Sequence, residues 1–268
     1  MREKIGLIAG NRKFPLLFAE AARKKGYSVV AIAIKGDTSS SLNKIADKIH
    51  WISLGDFVRL FEIMKKEGIS KVVMAGQISP HRLFSKEVSN NHEIQDILRS
   101  IKDKKADTIF GAIAKKLEEN GFELLSSTMF MEDYLPKAGR LTKKEPSPQE
   151  WEDINFGRGI AKEIAYLDIG QSVAVKHKAV IAVEALEGTD NLIRRAGKIA
   201  GKGMVIVKVS KPKQDMRFDI PVVGLNTVKN LIKIGACCLA IEAAKTLFID
   251  QQASIRLADK KALAIVAL

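Results

Sequence analysis

Short apolar segments alternate with amphipathic segments in the first half of the chain, and this alternation limits the fold more than any other feature. Apolar runs of strand length occupy residues 5–9, 29–34, 71–75 and 122–125. Helical periodicity occupies residues 14–25, 57–67 and 107–120. Strands and helices that follow one another at this spacing predict an α/β fold, with a parallel sheet covered by helices on both faces.

The composition changes over residues 136–149, which are rich in Pro, Gly, Lys, Ser and Thr. Such a stretch buries little apolar surface, so it predicts a linker between an N-terminal domain (1–135) and a C-terminal domain (150–268). In the second half, helical patterns cover residues 148–166, 190–200 and 225–248, with Gly235 as a candidate break in the last. Strand patterns cover residues 172–176, 180–185, 204–209 and 262–268.

The charge balance indicates an anionic partner. Lys and Arg total 44 against 31 acidic residues in 268, a net charge of +13. Nucleic acid, a phosphorylated small molecule or an acidic membrane surface would each suit this excess, and so would a merely solubilising surface. Aromatic residues make up only 6% of the chain and do not interleave with basic clusters, which argues against nucleic acid.

Targeting signals and cysteine usage point to the cytoplasm. The first residues lack the apolar core and cleavage site of a secretion signal, and no uncharged apolar run is long enough to span a bilayer. We therefore expect any membrane contact to be peripheral. Cys237 and Cys238 are adjacent within an apolar run, so we expect them to fill the core of a protein in a reducing compartment.

Two glycine turns follow strands of the first half. Gly10 ends the first predicted strand and opens towards a helix, while Gly76 and Gln77 follow the strand over 71–75. Ligands of open α/β sheets bind outside the carboxyl ends of the strands, so both turns are candidate phosphate contacts, although either could be a simple tight turn. Arg12 and Lys13 stand where a dinucleotide fingerprint would have further glycines.

Two polar stretches mark the second half. Residues 168–172 form a polar turn before a strand, and residues 184–190 join a strand to a helix. Thr189 or Asp190 would cap that helix, but Glu184, Glu187 and Asp190 exceed what capping requires. Carboxylates at this density suit a hard divalent cation.

Residues 211–221 carry the sharpest pattern. In an extended strand Asp215, Arg217 and Asp219 share one face, and in a helix residues four apart are neighbours, so the two carboxylates converge in either geometry. Paired carboxylates need a nearby cation, such as Arg217, Lys211 or a divalent metal. This combination is typical of metal-assisted phosphoryl transfer, and a surface ladder of ion pairs is the plainer alternative.

Other types of site are absent from the sequence. The four histidines, His50, His81, His92 and His177, are scattered, and none forms an HExxH pair. The two adjacent cysteines do not match a zinc site, and there is no Walker A loop and no G-x-S-x-G elbow.

Four stretches together resemble the LpxI family, the UDP-2,3-diacylglucosamine pyrophosphatases of lipid A biosynthesis. They are DIGQS at 168–172, EALEGTD at 184–190, RRA at 194–196 and KPKQDMRFDIP at 211–221. The likeness begins with IGLIAG at 5–10 and continues in the same order through almost the whole chain. EGTD and KPxQDxRxDxP are its specific motifs.

The resemblance implies a Rossmann-like N-terminal domain, a C-terminal α/β domain particular to the family, and substrate held between them. It implies that water attacks the β-phosphorus with Mg²⁺ (or Mn²⁺), giving UMP and 2,3-diacylglucosamine 1-phosphate. The catalytic residues implied are Asp219, Asp215 and Arg217, and the metal ligands are Asp219, Asp215 and Glu184. Substrate contacts implied are Gly10, Gly76, Gln77, Asp168, Gly170, Gln171, Glu187, Gly188, Thr189, Asp190, Lys211 and Gln214.

The implied partners are a UDP-linked diacylated glucosamine and the inner face of the cytoplasmic membrane, with a homodimer left open. Two other classes also stay open. An NAD(P)-dependent oxidoreductase would use an acidic residue near the end of the second strand to hold a ribose, and Asp37 lies close to that place. A nucleic-acid-binding protein would use the positive charge.

Overall fold

The structure is a computed structural model that describes residues 2–54, 56–78, 82, 95, 96, 99, 101 and 106–268. The histidines His81 and His92 lie outside these residues. The chain divides into two compact units, one of residues 1–132 with 215–219 and one of residues 133–214 with 220–268.

The first unit is built on a five-stranded sheet in which all paired strands are parallel. In chain order the strands are β1 (Lys4–Ala9), β2 (Ser28–Ile34), β3 (Lys48–Ile52), β4 (Lys71–Ala75) and β5 (Glu123–Leu124). Their order across the sheet is β3-β2-β1-β4-β5. The predicted α/β class is therefore confirmed, and the order reverses direction between β1 and β4, as at the ligand-binding switch point of doubly wound folds.

Three helices of the first unit are described, close to their predicted bounds. They are α1 (Phe14–Lys24), α2 (Phe57–Glu67) and α3 (Ala106–Glu119). Pro15 in the first turn favours the start of α1, and Gly68 ends α2 in the left-handed conformation with φ 65°. Apolar side chains of β2, β4, α2 and α3 pack into one core cluster.

The second unit has a mixed six-stranded sheet in the order β6-β13-β11-β9-β7-β8. Its strands are β6 (Gly139–Arg140), β7 (Ser172–Lys176), β8 (Ala179–Val183), β9 (Val205–Lys208), β11 (Cys238–Ile241) and β13 (Ala264–Ala267). A separate pair joins β10 (Val222–Val223) to β12 (Leu247–Phe248). The helices are α4 (Pro148–Tyr166), α5 (Thr189–Ala200), α6 (Leu225–Ile234) and α7 (Gln251–Lys260).

Residues 136–149, predicted as a linker, belong to the second unit. There Gly139 and Arg140 pair with the terminal strand β13, and Ser147 forms a capping box with Glu150 at the start of α4. The Ser147 hydroxyl accepts a hydrogen bond from the Glu150 amide while the Glu150 carboxylate accepts one from the Ser147 amide.

For the helix predicted over residues 225–248, the candidate break at Gly235 is confirmed and the helical continuation beyond it is wrong. Helix α6 stops at Ile234, because Gly235 adopts φ 68° and the Ala236 amide donates back to Leu231. The apolar residues that follow form β11, which lies between β9 and β13 and is fully buried. A short apolar run bounded by glycine has no period that separates a buried strand from a buried helix.

The cysteines fill the core as predicted, although in a strand rather than a helix. Cys238 is fully buried in β11, and Cys237 packs against the same core cluster. Burial and, after it, the carboxylate of Glu150 together raise the pKa of the Cys237 thiol to about 12. The thiols are therefore protonated at neutral pH and unsuited to nucleophilic or metal chemistry.

Candidate active site

The strand directions of the second unit gather its polar loops at one edge of the sheet. Strands β9, β11 and β13 are parallel, β7 runs antiparallel to β9, and β8 runs antiparallel to β7. The start of β7 therefore lies at the same edge as the ends of β8, β9 and β11. This carboxyl edge holds the segments 168–172, 184–190 and 208–214, as the parallel arrangement of strands predicts for a ligand site.

Gly170 lets two of these segments touch. A Cβ atom at Gly170 would lie 2.1 Å from the carbonyl oxygen of Glu184, so no other residue fits without moving the backbone. Next to this contact, the Glu184 amide donates to the Ser172 carbonyl at 2.9 Å, and the Val209 amide donates to the Gln171 carbonyl at 2.9 Å. The segments around Gly170, Glu184 and Val209 are thus joined through their backbones.

Lys211 and Asp168 form a short ion pair at this edge. Lys211 Nζ lies 2.5 Å from an Asp168 carboxylate oxygen, and both side chains are largely buried. The Lys211 amide also donates to Gln214 Oε1 at 2.7 Å, which closes the turn after β9. Lys211 and Gln214, both predicted as substrate contacts, therefore form the turn at the carboxyl edge. The ammonium group of Lys211 lies at the same edge, next to Asp168.

A second buried cluster joins Glu184, Thr189, Lys208 and Ser172. The Thr189 hydroxyl donates to Glu184 Oε1 at 2.8 Å and accepts from Lys208 Nζ at 2.8 Å. Lys208 Nζ also lies 3.4 Å from the Ser172 hydroxyl, its partner across β9 and β7, and 3.7 Å from Glu184 Oε2. Lys208 was not predicted; the signal was a lysine ending the apolar strand VIVK.

Side chains at the start of α5 are engaged within the protein. Asp190 accepts from Asn226 at 2.7 Å and from Thr227 at 3.2 Å, and Glu187 accepts from Arg195 at 2.5 Å. Gly188 precedes the helix with φ 81° and provides no side-chain cap. Because the first amides of a helix lack partners within it, they are the groups of α5 best suited to meet an anion.

The predicted catalytic segment 215–219 is a single turn that belongs to the first unit. The Asp219 amide donates to the Asp215 carbonyl at 3.1 Å, so the segment is neither the extended strand nor the longer helix considered from the sequence. Both carboxylate oxygens of Asp215 accept from the Arg217 guanidinium, at 2.8–3.2 Å. These hydrogen bonds hold the pKa of Asp215 below its ordinary 3.8, and Arg217 also reaches Glu118 at 2.5 Å.

Ser127 fastens this turn to the first unit. Its amide donates to the Met216 carbonyl at 2.8 Å, and its fully buried hydroxyl lies 2.6 Å from the Arg217 carbonyl. Phe218 stacks on Phe110 with ring centroids 5.9 Å apart. Ser127 was not predicted, because its partners are about 90 residues away in sequence.

Family models account for nearly the whole chain. The model of the LpxI N-terminal domain matches residues 4–134, and that of the LpxI C-terminal domain matches residues 137–266. The chain belongs to the LpxI family. A relative from Caulobacter vibrioides, UDP-2,3-diacylglucosamine pyrophosphatase LpxI, is 29% identical over 276 residues, which cover 99% of this chain and 97% of the relative.

Similarity to solved structures is weak by comparison with the family match. The biotin carboxylase domain of Hydrogenobacter thermophilus 2-oxoglutarate carboxylase is 15% identical with a TM-score of 0.28, covering 75% of this chain and 41% of that one. Glycinamide-RNase-transformylase T from Mycobacterium tuberculosis is 16% identical with a TM-score of 0.25, covering 68% and 44%. At these TM-scores the likeness carries no argument.

In this LpxI family member the two glycine turns of the first half pack on each other. The Gly10 amide donates to the Ala75 carbonyl and the Asn11 amide to the Gln77 carbonyl, both at 2.8 Å. Added Cβ atoms would lie 2.7 Å from Gln77 O at Gly10 and 2.6 Å from Asn11 O at Gly76. Close approach of these two loops therefore explains both glycines, and their contact with substrate stays a prediction.

Asp37, the acidic residue that an oxidoreductase would use for a ribose, is engaged elsewhere. Its side chain is fully buried, and it lies 2.7 Å from the Arg82 guanidinium. Asn11 also donates to it at 3.4 Å. The family match and this ion pair both disfavour the nicotinamide-dependent alternative.

The arrangement of carboxylates bears on metal binding. Among the described residues, no three His, Cys, Asp or Glu side chains are grouped as a metal site. Mg²⁺ is usually held by only one or two carboxylates together with water and substrate phosphates, so a preformed cage is not required. Asp215 is committed to Arg217 and Glu184 lies beside Lys208, so two of the three predicted ligands already have a cationic neighbour.

No helix in the part of the chain that the structure describes has both the length and the hydrophobicity needed to cross a bilayer.

Glu242 follows β11 at the carboxyl edge, and its contacts predict that the stability of the protein falls in acid. Burial alone would raise its pKa, but hydrogen bonds from Lys162 and Ser210 outweigh burial and hold the pKa below 4.5. Its stabilising contribution is therefore complete above pH 4.5 and is lost as the pH falls through the lowered value. Glu242→Gln should lower the free energy of unfolding at pH 7 by about 3 kcal/mol.

The measurement is urea unfolding between pH 3 and 7. The difference between Glu242→Gln and the unchanged protein should shrink as the pH falls below 4.5. A difference that stays constant over this range would contradict the assignment of the ion pair.

Proposed function

We propose that the protein hydrolyses the pyrophosphate bond of UDP-2,3-diacylglucosamine, releasing UMP and 2,3-diacylglucosamine 1-phosphate for lipid A biosynthesis. The observation that carries the proposal is the match of both LpxI domain models, which together span residues 4–134 and 137–266. The Caulobacter relative with the activity in its name supports the same conclusion over almost the full length of both chains.

The carboxyl edge of the second unit provides chemistry suited to a diphosphate. Lys211 and Lys208 place two ammonium groups there, and α5 begins at the same edge without a side-chain cap. Positive charge and helix N-terminal amides both stabilise the negatively charged oxygens of a phosphate anhydride. We infer that this edge binds the phosphate groups and that Gly170, Gln171 and Gly188 lie beside them.

We also propose that Asp219 is the principal ligand of a catalytic Mg²⁺ or Mn²⁺. The donor set fits, since a carboxylate oxygen is the ligand that these hard cations prefer. Asp219 lies half-buried at the end of the turn that Arg217, Ser127 and Phe218 hold in place. A bound divalent cation would polarise the water and neutralise charge on the phosphate oxygens.

The reaction itself exchanges one bond for another. A water oxygen forms a bond to the β-phosphorus, and the bond from that phosphorus to the bridging oxygen breaks. The bridging oxygen and its electron pair leave with UMP, and the water gives up a proton to solvent or to a nearby base. In this scheme the lipid-bearing sugar keeps the attacked phosphate as its 1-phosphate.

The experiment is incubation of the purified protein with UDP-2,3-diacylglucosamine, with released UMP measured by chromatography. UMP should appear when Mg²⁺ or Mn²⁺ is present and stop when EDTA is added, and restored metal should restore the rate. Release that is unaffected by EDTA would contradict the metal proposal alone. No release under any metal condition, or binding of NAD(P) instead, would contradict the hydrolase.

The lipid nature of this substrate and the net charge of +13 together support a working place at the inner face of the cytoplasmic membrane. We propose peripheral attachment there. Binding to vesicles of anionic lipid that weakens with salt would support it, and equal binding to neutral vesicles would contradict the electrostatic part.

A further inference from the structure

Lys208 is a buried ammonium group whose place at the edge needs explaining. The residue is only 6% exposed and ends β9, whose other residues are buried and apolar. Removing a charged group from water is costly unless it is paired and hydrogen-bonded. A lysine kept in such a position therefore has contacts that compensate for its burial.

Those contacts converge on the first residue of α5. Thr189 accepts from Lys208 and donates to Glu184, both at 2.8 Å, so its hydroxyl is held from two sides. Glu184 is 8% exposed, and its Oε2 atom, 3.7 Å from Lys208 Nζ, makes no hydrogen bond within the described residues. The shortest hydrogen bond of the ammonium thus goes to Thr189 rather than to the carboxylate.

A neighbouring ion pair shows how different this arrangement is. Lys162 Nζ lies 2.7 and 2.8 Å from the two oxygens of Glu242, and that carboxylate also accepts from the amide of Ser210 at 2.5 Å. In that pair the ammonium and the carboxylate are in direct contact. Between Lys208 and Glu184, by contrast, the hydroxyl of Thr189 bridges the two charged groups, and Thr189 is the first residue of α5.

We propose that Lys208 is a positioning residue for phosphate binding. By fixing Thr189 it fixes the direction of the first amides of α5, and its charge offsets the negative charge of Glu184 beside that helix end. This inference rests on the proposed function, because it assigns Lys208 to the diphosphate of the same substrate. It also gives Glu184 the role of partner to Lys208 and Thr189, in place of the role of metal ligand predicted from the sequence.

The test separates positioning from charge balance. Lys208→Met leaves Glu184 buried without a counter-charge, so it should lower both stability and affinity. The double variant Lys208→Met/Glu184→Gln removes both charges and should regain most of the stability. Its dissociation constant for UDP should nevertheless stay about tenfold or more above that of the unchanged protein, a loss of ~1.4 kcal/mol.

Titration calorimetry with UDP and urea unfolding are the two measurements. The control is Lys144→Met/Glu150→Gln, a partly buried pair with Nζ and Oε1 3.1 Å apart that lies at the amino edge of the same sheet. This control should change stability but leave the affinity for UDP unchanged.

A double Lys208/Glu184 variant that is stable and binds UDP as tightly as the unchanged protein would overturn the inference. Weakened UDP binding in that variant supports it, whether or not the unchanged protein hydrolyses the lipid substrate. Failure of hydrolysis with intact, Lys208-dependent UDP binding would count against the proposed function alone. An unchanged protein that does not bind UDP would overturn this inference, while release of UMP would still decide the proposed function.

Discussion

Asp219→Asn is expected to lower the rate of UDP-2,3-diacylglucosamine hydrolysis by about 10³-fold at saturating substrate. The substitution keeps the size of the side chain and removes the charge that we assign to the metal ligand. Loss of one group that stabilises charge in a transition state costs about 10²–10³-fold, and a weakened hold on the metal adds to this loss. The measurement is kcat at several Mg²⁺ concentrations, with unfolding followed in parallel.

Asp215→Asn is the matched control, four residues earlier in the same turn. It removes a carboxylate whose two oxygens already accept from Arg217, so it should loosen the turn more than it changes the metal affinity. We expect a smaller fall in kcat and no change in the Mg²⁺ concentration that gives half of the maximal rate. If Asp215→Asn shifts that concentration and Asp219→Asn does not, the two roles are reversed.

Gly170→Ala is expected to have the second largest effect, on both stability and substrate affinity. The added Cβ would lie 2.1 Å from the Glu184 carbonyl oxygen and 3.0 Å from the Glu184 Cβ. Overpacking of this kind costs about 1–3 kcal/mol, and a backbone neighbour yields less readily than a side chain. We expect a loss near the upper end in urea unfolding, and weaker UDP binding because the edge segments separate.

Gly159→Ala tests whether any glycine-to-alanine change in the second unit has this result. Gly159 is exposed within α4, and an added Cβ meets nothing within 4 Å. Alanine favours a helix interior over glycine by about 1 kcal/mol, so this variant should be slightly more stable and bind UDP normally. If both variants lost the same stability and UDP affinity, the close contact between Gly170 and Glu184 would not be what holds the segments of the carboxyl edge together.

The fold of the first unit followed from periodicity to a large extent. Strands β1, β2 and β4 are apolar, buried and bounded by turn residues, so their pattern is unambiguous. The polar edge strand β3 was missed, since its His50 and Trp51 are only partly buried. The helix predicted over 225–248 was wrong beyond Gly235, because buried strands and buried helices share the same composition when they are short.

The candidate site was only partly accessible from the sequence. The segments around Gly170, Thr189 and Lys211 stood out because polar residues crowd beside strands, and strand direction then brought them to one edge. Lys208 and Ser127 could not be found in this way, because each depends on partners distant in sequence. Pairing of Asp215 with Arg217 was one of the alternatives considered, but the turn that carries it came only from the structure.

Hydrolysis in H₂¹⁸O followed by mass spectrometry tests the central claim most directly. The purified protein, UDP-2,3-diacylglucosamine and Mg²⁺ should yield unlabelled UMP and a 2,3-diacylglucosamine 1-phosphate that carries one ¹⁸O, since water is proposed to attack the β-phosphorus. The label in UMP would contradict that assignment, and the absence of both products would contradict the hydrolase itself.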